Sequence, residues 1–167
     1  MSAFKFSDFF FEVAKGRVEG HSIHETFGAN LITGTSFIPI WPYNTAYTYS
    51  TTADIDSISS SAVADTEVIS VHGLDANWNR IVQSVTLTGR VAAILDTPLI
   101  RVLPSHNIGS ADLVGNVYIT TNGAALTLGV PDTAADVRAM IAIGDNNTQQ
   151  TMSSIPAGYT GFLVHRD

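Results

Sequence analysis

At 167 residues, with 45% apolar and only 14% charged side chains, the chain is long enough for one hydrophobic core and too apolar to be disordered throughout. It has no cysteine, which excludes a disulfide framework, a thiolate metal site and a thiol nucleophile. Eight basic residues face fifteen acidic ones, a formal charge of −7, and no Lys or Arg lies between Arg17 and Arg80, so that stretch lacks the clustered cations that phosphate binding needs.

The first stretch, MSAFKFSDFFFEVAKGRV, has Lys5, Asp8 and Glu12 interrupting its apolar residues, so no secretory signal is expected and the chain is expected to fold in the cytosol. No apolar run approaches the ~20 residues of a membrane span. Phe4, Phe6, Phe9, Phe10, Phe11 and Phe27 place six of the eight phenylalanines in the first 27 residues. Ser7 or Asp8 can cap a short helix through Lys15. Gly16, Gly20, Gly28 and Gly34 punctuate the next twenty residues, and Pro39 and Pro42 bracket PIWP. Residues 1–45 therefore read as an extended, glycine-jointed N-terminal arm. Its aromatics must pack on the chain's own body or on a neighbour.

Residues 46–167 read as an all-β domain. In EVISVHGL, Ile69 and Val71 share a face; in RIVQSVTLTG, Ile81, Val85 and Leu87 oppose Ser84, Thr86 and Thr88. VAAIL and LIRVL suit buried strands, and GNVYITT alternates Val117 and Ile119 with Tyr118 and Thr120. DVRAMIAIG aligns Val137, Ala139, Ile141 and Ile143, with a short helix as the alternative, while the serine cluster after Ile55 reads as a loop. Turn signals such as Asn122-Gly123 and Pro131-Asp132 separate the runs. Seven or eight short strands so spaced predict an antiparallel β-sandwich or jelly roll.

Chemistry is harder to find. No G-x-S-x-G elbow, Walker loop or Rossmann fingerprint occurs, so an enzyme is not expected. His21, His24 and Glu25 have helical spacing for a metal, but the flanking glycines oppose a helix and no further ligand is evident; ordinary loop histidines are the simpler reading. Asp54, Asp56 and Asp65 begin like a calcium loop, yet Ile58 and Ser59 occupy positions where a ligand and a glycine belong. No metal or other cofactor is expected. The best glycan candidate is Trp78, an aromatic flanked by Asp75, Asn77 and Asn79, with Trp41 and Tyr43 as a second. Against it stands the simpler reading, in which Asp75–Asn79 is a hairpin turn and Trp78 closes one end of the core.

Several segments, taken in order, carry a resemblance: GRVEGHSIHETFGAN, SISSSAVADT, VHGLDANWNRIVQSVTLTG, LIRVLPSHNIGSADLVGNVYI and SSIPAGYTGFL. They resemble small virion proteins of tailed bacteriophages, over about three quarters of the chain. One departure is Asn79-Arg80-Ile81, where that group would have an acidic residue. The resemblance implies a β-sandwich or jelly-roll protein that decorates or cements a capsid. It further implies the major capsid protein as partner, a homo-oligomer (trimer or dimer), a place on the capsid surface of the virion, synthesis in the host cytoplasm, and neither nucleic acid nor membrane as target. Such a protein needs apolar anchors, for which Phe4, Phe6, Phe9, Phe10, Phe11 and Trp41 are the candidates. The alternative is a tail, neck or head-fibre component that binds host-surface glycans through Trp78.

Overall fold

Alternation of apolar and polar residues becomes sheet geometry along most of the body. A computed structural model describes residues 9–23, 28, 40–43, 46–152, 154–155 and 158–161. One short helix, α1 (Phe9–Ala14), precedes the strands β1 (Ile55–Ser60), β2 (Val68–Leu74), β3 (Arg80–Thr86), β4 (Ala93–Leu99), β5 (Arg101–Asn107), β6 (Val117–Thr121), β7 (Leu126–Thr127), β8 (Val130–Pro131) and β9 (Val137–Ile141). They form a four-stranded sheet ordered β4-β1-β6-β9, a three-stranded sheet ordered β3-β2-β5 and a β7-β8 hairpin, with every pairing antiparallel. The two larger sheets pack face to face as a β-sandwich. Four strands against three is a smaller array than the eight-stranded jelly roll.

Ile69 and Val71 from β2, Val85 from β3, Val117 and Ile119 from β6, and Ala139 and Ile141 from β9 meet in one core. The serine cluster is not a loop. It is β1, an interior strand of its sheet, with Ser57, Ser59 and Ser60 buried. A register shift between Ile55 and Ser57 lets Ile55 and Ile58 both reach the core although they are three residues apart. The hydroxyls survive burial because they are bonded: Ser59 Oγ donates to the Gly129 carbonyl at 2.9 Å and Ser60 Oγ to Asp65 at 2.5 Å. A second shift, between Ile119 and Thr120, accompanies the turn of Val137 away from Ala139 and Ile141 into an outer cluster. The segment is a strand, and Ile143 lies exposed beyond its end.

Both open sides of the sandwich are stitched. Between β3 and β4, the Gln83 side-chain amide donates to the Thr97 carbonyl (2.9 Å) and accepts from the Thr97 N–H (3.0 Å), the pairing a backbone would make. Between β5 and β9, Thr148 donates its N–H to the Ser105 carbonyl, accepts from the Ser105 N–H, and bridges to Ile141. Strand edges so occupied are poor templates for aggregation.

A third layer covers the outer face of the four-stranded sheet. Trp41, wholly buried at 0% exposure, packs with Tyr118, Val137 and Met140, flanked by Tyr43 and Tyr47. Its ring lies 5.3 Å from Tyr47 and 5.5 Å from Tyr43. The expectation that Trp41 is an interface anchor in the arm is therefore corrected: sheet β6-β9 offers an apolar outer face, and Trp41 supplies its cover. The body's packing thus begins before residue 46. Within this layer burial pushes the Tyr47 phenol up to about 12, against the opposing pull of Arg138. A raised folded value favours the protonated state, so this contribution is complete below pH 10 and is lost as pH rises from about 10 through about 12. Alkaline titration of the melting temperature is expected to fall across that window, and less so in Tyr47→Phe.

Candidate functional site

Phe4 and Phe6 lie outside the described residues, as do His24 and Glu25. Phe9, Phe10 and Phe11 open α1, and all three are exposed. Phe9 and Phe10 meet edge to face at 5.6 Å, and Phe9 takes the His21 ring edge-on at 5.5 Å. His21 Nδ1 lies 3.1 Å from the Glu19 carbonyl oxygen, so this ring is tied into a local turn. Glu12 pairs with Lys15 and Arg17, which lie just beyond the end of the helix. Val13 alone of the helix is buried. The helix thus shows aromatics outward over a small polar and apolar base.

Asp75, Asn77, Trp78 and Asn79 are brought together, as the loop between β2 and β3. Asp75 Oδ1 accepts the N–H groups of Asn77 and Asn79, both at 2.8 Å, and Oδ2 accepts from the Asn79 amide at 3.3 Å. The Asp75 N–H donates to the Asn79 carbonyl, and the Trp78 N–H to the Asp75 carbonyl. Those bonds, the Asn79 N–H above all, hold the Asp75 carboxyl below its ordinary value. The Asp75 carboxylate, the Asn79 amide and the Asn77 N–H are thus engaged in closing the turn.

Trp78 has φ of 63°, a left-handed backbone that a bulky side chain rarely adopts. Its ring compensates by packing on Leu74, Ile100 and Leu103 at one end of the sandwich. The Arg101 guanidinium lies 5.1 Å from the Trp78 ring centre and 5.1 Å from that of Tyr49. The ring is therefore half-buried and carries a cation, where a sugar platform wants a bare face. Trp78 closes the end of the core.

Sequence reasoning passed over several groups. Arg101 Nη1 donates to the carbonyls of Ser50 and Ile100, both at 2.6 Å, and the buried Arg138 donates from Nε to Ser50 Oγ at 2.8 Å and from Nη1 to the Ala135 carbonyl. Neither has a carboxylate partner among the described residues. An arginine inside VRAMI was the visible signal for Arg138. On the outer face of β2 and β5, the rings of His72 and His106 lie 5.4 Å apart; burial first, then His106 and Arg80, lowers the His72 value. Asp65, read as an unconvincing calcium ligand, is buried and accepts the N–H groups of Val114 (2.9 Å) and Gly115 (3.1 Å) as well as the Ser60 hydroxyl. A carboxylate surrounded by donors is arranged to bind protons of its own chain, not a cation.

Among the described residues no cluster of three or more His, Asp or Glu converges as a metal site, and no helix is long and apolar enough to cross a membrane. No family model, no curated protein and no solved structure matches the chain.

Proposed function

We propose that the chain is a non-enzymatic structural protein of a bacteriophage virion that decorates or cements the capsid as a dimer or trimer, anchored through its aromatic N-terminal helix. The observation that carries this reading is the exposure of Phe10 and Phe11, 52% and 62%, on a six-residue helix. Isolated helices of that length are marginal in water, and the local contacts of these rings, Phe9 on Phe10 and Lys15 Nζ 4.0 Å from the Phe11 ring centre, leave much of their surface uncovered. They are suited to a surface that buries them on assembly. One such anchor contributes about 2 kcal/mol, roughly 30-fold in affinity, and repetition over a shell multiplies it. The order of the sequence motifs and the stitched, edge-protected sandwich are compatible with a part of a durable assembly. A glycan-binding tail component draws less support, since the Asp75 carboxylate, the Asn79 amide and one side of Trp78 are already engaged.

Deleting residues 1–23 tests the anchor while sparing Trp41. The truncated chain is expected to keep the melting temperature of the body and to lose binding to shells of the major capsid protein encoded with it. Full occupancy of shells by the truncated chain would remove α1 from the mechanism.

A further inference from the structure

Three turns meet at one end of the sandwich: residues 61–67 between β1 and β2, residues 87–92 between β3 and β4, and the β7-β8 turn, joined by the 113–116 loop. They pack backbone on backbone. A Cβ at Gly89 would lie 2.5 Å from the Val63 carbonyl oxygen, and one at Gly129 would strike the Ser60 carbonyl. Asp65 sits beneath, bonded to Ser60, Val114 and Gly115. The outward side chains of this fixed scaffold are aliphatic: Val63, Val91, Leu128 and Val114 are 72%, 69%, 65% and 56% exposed.

Leu128 is the most informative of them. With Gly129 it forms the two-residue turn between β7 and β8, at φ of 51° and 81°. Two positive φ angles define a hairpin turn that favours Asn-Gly. A leucine there is strained and, unlike Trp78, has no compensating burial within the chain. Segments 61–67, 87–92, 113–116 and 126–131 contain three charged residues, Asp65, Glu67 and Arg90. Asp65 is buried and the half-buried Glu67 carboxylate lies over Gly109, so Arg90 is the most exposed charge of these turns; its Nε donates to the Ser61 carbonyl at 2.9 Å, which holds the guanidinium at the rim.

We propose that this end is a docking surface for a protein partner with an apolar pocket bordered by a carboxylate. Arg90 selects the acidic border, and the aliphatics fill the pocket. To a second copy docked the same way only Glu67 of these turns could supply that carboxylate, and it is half-buried over Gly109. Taking the partner to be the capsid shell rests on the reading given above.

Leu128→Asn separates docking from folding, because asparagine suits the turn while removing the apolar tip. The variant is expected to melt no lower than the unchanged chain and to bind major-capsid-protein shells at least tenfold more weakly. A photo-crosslinker at position 128 is expected to capture capsid protein, and one at Val82, exposed on β3, is not. Unaltered shell binding by Leu128→Asn, with binding lost on deletion of residues 1–23, overturns this surface and leaves the capsid reading standing. Failure of the unchanged chain to bind shells overturns both. Loss of self-association, or of binding to phosphatidylcholine–phosphatidylglycerol vesicles, as the main effect of Leu128→Asn overturns the assignment to a heterologous protein.

Discussion

Replacing Trp41 by alanine is expected to destabilise the isolated chain by about 3–5 kcal/mol, the range for emptying a buried aromatic site. Its ring is wholly buried against Tyr118, Val137 and Met140 and touches Tyr43 and Tyr47 in aromatic contacts. Such pairs add about 0.5–1.5 kcal/mol beyond area burial. For a chain of this length the melting temperature is expected to fall by about 10 °C, measured by circular dichroism or calorimetry. Trp41→Phe, which keeps a ring, is expected to lose less than half of that. An exposed anchor behaves oppositely: its removal leaves the free chain as stable as before and weakens only the assembly. Phe11→Ser supplies that contrast in the same assay. Thermal melts of Trp41→Ala that overlay the unchanged chain would return Trp41 to the arm.

The contrast between Trp41 and the α1 phenylalanines marks where sequence stops being informative. Alternation in EVISVHGL and RIVQSVTLTG predicts β2 and β3 because Ile69 and Val71 of β2 share the core face and β3 keeps a strict two-residue period. It fails at β1, where a register shift breaks the period and serines fill an interior strand whose hydroxyls find partners only in three dimensions. Trp41 was ambiguous for a related reason. PIWP has no period, and the apolar outer face that Trp41 covers is assembled from Tyr118, Val137 and Met140, on two strands separated in sequence. The Asp75–Asn79 turn was legible, since its bonds are local. The aliphatic end was not: Val63, Val91, Val114 and Leu128 are scattered over four turns, and only the topology collects them. Leu128-Gly129 left one local trace, a Gly in a short turn preceded by a residue that turns of this kind disfavour.

Asp65→Ala is expected to destabilise the chain by about 3–5 kcal/mol, since a hydrogen bond to a charged group contributes about 1.5–3 kcal/mol and each stranded buried donor costs about 1–3 kcal/mol. The carboxylate accepts from Val114 N–H, Gly115 N–H and the Ser60 hydroxyl, while its own backbone carbonyl accepts from Gly89. One residue thus ties the 61–67 turn to the 113–116 loop and to the β3-β4 turn. Alanine leaves two N–H groups without their acceptor, that of Gly115 buried and that of Val114 partly buried. Asparagine keeps the shape and the acceptor for Val114, and the Ser60 hydroxyl can rotate to accept from the new amide, but the Gly115 N–H then faces an NH2 group, so Asp65→Asn is expected to cost about 2–3 kcal/mol. Hydrogen exchange gives the local readout: the Val114 and Gly115 amides are expected to be strongly protected in the unchanged chain and to lose that protection first in Asp65→Ala. Equal protection in both would mean that these loops hold their positions without the carboxylate. Because Asp65 lies beneath the aliphatic end, its loss should also weaken docking there by loosening the scaffold, whereas Leu128→Asn weakens docking with the scaffold intact. Reduced binding in both variants, with exchange altered only in Asp65→Ala, is the pattern expected when rigidity and apolar contact are separate requirements of the same surface.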